Sequence, residues 1–170
     1  MPQVILGIDP GLRHTGYCVL VDGKPREHGV ILLSGHGKVS IGNALSPIFS
    51  ILSGLISEIR PDCAAVEQVG WYGSRKAITL PLSHVCGGIV GFCAGRSIST
   101  YLFLANQRRP VAVKRPRRGW QEHDLDAYEL ALLARQVEDA RGAGDRIIPR
   151  RLLAAFNRKI IVGGDVHGSP

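Results

Sequence analysis

The sequence predicts an α/β domain with a five-stranded mixed sheet flanked by helices. Three observations predict it. Apolar runs of strand length open the chain and return further along it. Stretches with helical periodicity lie between the later ones. Hydrophobic residues make up 45% of the 170, enough to bury one core.

Gln3 to Asp9 is apolar to its end and reads as a buried strand, after which Asp9-Pro10-Gly11 turns the chain. Tyr17 to Val21 is a second strand and Gly29 to Leu33 a third. Asp22-Gly23 is a hairpin signal, with Lys24 to His28 as its loop or strand edge, so the three form an antiparallel meander. Ser34 to Ser40 is a Gly-rich loop. Leu45, Ile48, Leu52, Leu55 and Ile59 recur at helical spacing, which predicts an amphipathic helix over 41–59 with Pro47 in its first turn. Arg60-Pro61-Asp62 ends it, and Cys63 to Val66 is a short strand leading into Glu67-Gln68-Val69. Leu82 to Ser97 reads as a helix rich in small residues, suited to close packing on the sheet or on a second copy. Thr100 to Ala105 is the fifth strand. A last helix runs from Gln121 to Ala140 and is broken at Gly142-Ala143-Gly144.

The formal charge of +7 and a pI near 9.6 favour an anionic partner, of which nucleic acid is the commonest. No apolar run has membrane-spanning length and the chain opens directly into a strand, so a cytoplasmic location without membrane contact is expected. Cys18, Cys63, Cys86 and Cys93 lack CxxC spacing and read as core thiols, not disulfides or a zinc site.

Asp9 and Glu67 each close an apolar run, and neighbouring parallel strands would bring those ends together. A carboxylate at such a place needs a partner. Asp9 either holds a metal or caps the Pro-Gly turn; Glu67 either joins it or faces solvent. His123, Asp126, Ala127 and Leu130 share one helix face that Leu133 and Val137 continue. An imidazole and a carboxylate thus lead into a buried face near a helix start, either as site residues or as simple capping groups. Asp124 lies off that face as a cap or solvent group, and His84 reads as a core or surface histidine.

Trp71 and Tyr72, beside glycines and followed by Arg75 and Lys76, form a loop that either stacks on bases or packs on the domain. Arg108, Arg109, Lys114, Arg115, Arg117 and Arg118 put six cations into eleven residues, and Pro110 and Pro116 argue against a helix there. A phosphate-tracking loop is the favoured reading. The basic segment 147–161, with Arg150, Arg151, Arg158 and Lys159, suits a surface helix, a dimer contact or a further DNA contact.

Three motifs together carry a family resemblance: Gly7-Ile8-Asp9-Pro10-Gly11 with Thr15-Gly16-Tyr17, then Val66-Glu67-Gln68-Val69, then His123-x-x-Asp126-Ala127. Over residues 3–140 the chain resembles a RuvC-type Holliday junction resolvase of the ribonuclease H-like superfamily. The resemblance implies a ribonuclease H-like nuclease domain over 1–141, followed by a basic extension over 142–170. It implies catalytic and metal-binding roles for four residues: Asp9 bridging two divalent ions, Glu67 holding one, and Asp126 with His123 completing the other. The family more often has an acid at the position of His123. It further implies a homodimer that acts on a four-way DNA junction and leaves paired symmetric nicks. Trp71 or Tyr72 falls near the family's junction-entering aromatic. The family normally has a helix with lysines where this chain has its arginine-rich stretch; Lys114 is the best candidate there for a phosphate contact near the site.

The chemistry is coherent on its own terms. Two divalent ions activate water and stabilise a leaving oxygen in phosphodiester hydrolysis, and hard carboxylate oxygens suit Mg2+, with Mn2+ able to substitute. Two alternatives stand beside this reading. One is a ribonuclease H-like nuclease acting on other branched DNA, RNA–DNA hybrids or structured RNA. The other is a catalytically degenerate junction-binding module. A kinase- or chaperone-type ATPase would need a duplicated domain, for which 170 residues are too few.

Overall fold

Alternation along the central strand divides the molecule into two cores. The computed structural model describes residues 3–33, 39–69, 76–105 and 119–142, with side chains from residue 80 onward in the third span. Strands β1 (Val4–Asp9), β2 (His14–Val21), β3 (Lys24–Leu32), β4 (Cys63–Gln68) and β5 (Ser99–Leu104) form one sheet in the order β3-β2-β1-β4-β5. The first three are the predicted antiparallel meander, while β4 and β5 run parallel to β1. Leu6 and Ile8 of β1, with Ala64 and Val66 of β4, face helices α1 (Ile41–Ile59) and α2 (Lys76–Ala94). Ile5, Cys63 and Ala65 face helix α3 (Glu122–Gly142) on the other side. Successive side chains of a strand point to opposite faces, so both cores draw on the same two strands.

Helix α1 has the predicted limits. The Ser40 hydroxyl caps it by accepting the Asn43 N–H at 3.1 Å, and Arg60 ends it in a left-handed conformation at φ 47°. Its buried stripe is Ala44, Ile48, Leu52, Leu55 and Ile56, with Leu45 and Ile59 at the margin. Pro47 lies in the second turn, not the first, where it cannot supply an N–H to the Asn43 carbonyl. Phe49 of α1 stacks on Phe92 of α2 at 4.5 Å, and the Arg96 guanidinium covers Phe92 at 3.5 Å.

Other limits move. The second strand begins at His14, and the third includes Lys24 to His28, because this polar stretch still pairs with β2 as an outer strand. Helix α2 starts at Lys76 and takes Pro81 into its body. The fourth and fifth strands are Cys63–Gln68 and Ser99–Leu104. None of the four cysteines forms a disulfide, and all are buried. No helix among the described residues is long and apolar enough to cross a membrane. Residues 34–38 of the loop expected over Ser34 to Ser40, and the basic tail, lie outside the described residues.

Candidate active site at the strand ends

The period of two that sorts the cores also aims the acids. Asp9 follows Ile5 and Gly7, and Glu67 follows Cys63 and Ala65, so both carboxylates fall on the α3 face. Ile8 pairs with Val66 in parallel register, so Asp9 and Glu67 close adjoining strands. Asp9 is 7% exposed, and Oε2 of Glu67 is buried. The turn after Asp9 is closed by Thr15, whose hydroxyl accepts the Gly11 N–H at 3.1 Å and donates to the Gly11 carbonyl at 3.0 Å.

Helix α3 reaches this point because two glycines let it lie on the sheet. A Cβ at Gly7 would sit 1.9 Å from the Ala127 carbonyl oxygen, and one at Gly16 would sit 2.0 Å from that of His123. The approach brings His123 Nδ1 to 2.8 Å from Asp9 Oδ2. That hydrogen bond raises the imidazole above its ordinary pKa. Burial opposes the rise, and the charges of Asp9, Glu122 and Asp126 add to it. Asp126 is half-buried one turn further along the same helix. The structure therefore joins Asp9 to His123 directly, with Glu67 beside them by register and Asp126 within electrostatic reach of the imidazole.

Two neighbours, His14 and His28, escaped the sequence reading, and a third, Asp124, was read there only as a cap or solvent group. The exposed ring of His14 stacks on that of His123, with centroids 5.5 Å apart and planes 14° apart. Asp124 is not a solvent group: it is 2% exposed. Its Oδ1 accepts the Gln121 N–H at 2.7 Å, half of a capping box, and its Oδ2 lies 2.8 Å from His28 Nδ1. The cap was visible in the Gln121-x-x-Asp124 spacing. The partnership with His28, across 96 residues, had no local signal.

Among the described residues, no group of three or more His, Cys, Asp or Glu side chains forms a ready metal cage. The donor set nevertheless fits a divalent ion. Asp9, Glu67 and Asp126 offer hard oxygens, and ions such as Mg2+ keep several waters and use one or two carboxylates with substrate phosphates instead of an all-protein cage. Asp9 is buried and Oε2 of Glu67 is shielded from solvent at the ends of adjoining strands, where a cation would compensate their charge. Trp71, Tyr72, Arg75, Arg108, Arg109, Lys114, Arg115, Arg117 and Arg118 lie outside the described residues. Lys76 opens α2, and its side chain is likewise outside them.

A mixed sheet of this order, with acids closing β1 and β4 and a helix carrying further ligand-type residues across them, defines a ribonuclease H-like fold. Residues 5–115 match the family described as crossover junction endodeoxyribonuclease RuvC, and the chain belongs to that family. The relative of that name from Ralstonia pickettii is 32% identical, covering 64% of this chain and 61% of its own length. The one from Halorhodospira halophila is 39% identical over 57% of this chain and 59% of its own. The Ralstonia nicotianae relative is 31% identical over 82% of this chain and 78% of its own. The first two matches thus span about 60% of the relatives' lengths. Among solved structures, Thermus thermophilus RuvC in complex with Holliday junction substrate superposes with a TM-score of 0.67 at 20% identity. That match covers 83% of this chain and 96% of the other.

Proposed function

We propose that this chain is a metal-dependent endodeoxyribonuclease that resolves four-way DNA junctions by paired, symmetric nicks, acting as a homodimer in the cytoplasm. The observation that carries the reading is the contact of His123 with Asp9 at the close of the central strand, beside the end of the strand bearing Glu67. Membership of a family whose relatives are named crossover junction endodeoxyribonucleases supports it. The nuclease domain is taken as residues 1–141 and 142–170 as a basic extension.

Asp9, Glu67, His123 and Asp126 would hold the divalent ions, two per site, with Mg2+ as the ordinary metal and Mn2+ able to replace it. Bound there, the ions would supply an activated water and charge stabilisation for the departing 3′ oxygen. The chain's own part is positional. Asp9 would offer its carboxylate from the end of the central strand, Glu67 from the adjoining strand, and His123 and Asp126 from α3. The cations of 108–118, with Arg75 and Lys76, hold the DNA phosphates, and Trp71 or Tyr72 stacks on bases at the junction centre.

The test is cleavage of an immobile four-way junction against matched duplex, in Mg2+ or EDTA, with the cuts mapped on every strand. Paired symmetric nicks that need metal are expected, and Asp9→Asn should abolish them. Cuts confined to flaps or RNA–DNA hybrids would remove the junction assignment. An Asp9→Asn protein cutting at the wild-type rate would overturn the site.

A further inference from the structure

We infer that His28 is a positioning residue for the site: acting through Asp124, it fixes the first turn of α3 and so holds the His123 imidazole against Asp9. The inference rests on the proposed nuclease reading.

The geometry is a clamp astride one strand. In the sheet, β2 lies between β3 and β1. Two consecutive residues of α3 reach to opposite sides of it. His123 bonds Asp9 on β1 at 2.8 Å, and Asp124 bonds His28 on β3 at 2.8 Å. Between these ties the His123 carbonyl rests on Gly16 of β2, with no room for a Cβ. Asp124 also holds the Gln121 N–H, so one carboxylate secures both the helix cap and the link to β3. While Asp124 holds the edge of the His28 ring, Trp120 stacks on its face at 3.6 Å with planes 12° apart. Trp120 leans in turn on Tyr128 of α3 at 5.3 Å.

Removing the His28 donor leaves one oxygen of a buried carboxylate without its bond, which favours relaxation of the turn towards water. Misplacement of a reacting group by about 1 Å costs on the order of 100-fold in rate, and loss of a residue that orients a metal ligand typically costs about 10–100-fold.

The experiment compares wild type with His28→Ala, His28→Asn and Asp124→Asn. His28→Asn keeps an N–H donor near the position of Nδ1. Asp124→Asn is isosteric and keeps the oxygen that caps Gln121. Each protein is assayed for kcat and KM on a four-way junction. Its histidine side chains are read by long-range 1H–15N spectra without metal. His28→Ala should lower kcat about 10–100-fold with KM little changed, and shift the His123 resonances. His28→Asn should recover most of the rate. Asp124→Asn, which also serves if His28→Ala does not fold, should fall between. Unchanged His123 resonances in the variants, or His28→Asn no faster than His28→Ala, would overturn the inference. A wild-type protein that cuts no junction would overturn the nuclease reading instead, while the spectra still test the positioning of His123.

Discussion

At the scale of single residues, what places the candidate site is parity. Asp9 stands four residues beyond Ile5 and Glu67 two beyond Ala65, both even steps from a side chain in the α3 core, and the alternation of a strand does the rest. This much is legible in the sequence, because a carboxylate at the end of an apolar run is a local pattern. The match of Asp124 with His28 is not, since only the folded sheet brings the two together. Gly16 belongs to the same scale. A methyl group there would meet backbone, not a side chain that can turn away. Gly16→Ala should therefore lower stability by about 1–3 kcal/mol in urea unfolding. Because the displaced atom is the His123 carbonyl, junction cleavage should fall more than the loss of folded protein accounts for. A rate that simply tracks the folded fraction would dissociate Gly16 from the site.

At the scale of elements, the limits of the helix over 41–59 were readable, though its Pro47 falls a turn later than expected. Its stripe has period 3.6, and a capping serine and a left-handed arginine mark its ends. The outer strand was only half readable. Lys24 to His28 is polar, as an edge that discourages further pairing should be, so it resembles a loop until its partner is known. The start of α2 was misread because Pro81 looks like a boundary; in the fold it is the sixth residue of the helix. Two predictions belong here. Pro47→Ala restores an N–H towards the Asn43 carbonyl and should stabilise α1 by on the order of 1–3 kcal/mol, read as a higher urea midpoint. Under α2, burial pushes the Cys93 thiol up to about 11, against smaller lowering effects from Thr100 and Arg96. An unfolded thiol titrates near 8.5. The stability gained by keeping Cys93 protonated is thus complete below pH ~8.5 and lost as the pH climbs through about 11. Between pH 7 and 10.5 the urea midpoint of wild type should fall more steeply than that of Cys93→Ala; parallel slopes would contradict the burial of that thiol.

For the whole molecule, the net charge of +7 acts together with the site. Junction binding, measured by anisotropy in Ca2+ without Mg2+, should weaken along a straight line of log affinity against log salt. Six to ten phosphate contacts would cost about 10³–10⁵ in affinity between 50 and 200 mM. A flat line would mean that the cations do not face the DNA. The order of events during synthesis follows from the distance along the chain between the site's parts. Asp9 and His123 meet in space but lie 114 residues apart in sequence. At ~5–20 residues per second, a ribosome delivers the first about 6–23 s before the second. Throughout that interval the emerging meander carries Asp9 without His123, its partner in the fold. The Asp9–His123 contact, and with it the proposed site, forms only once α3 emerges and seats on Gly7 and Gly16.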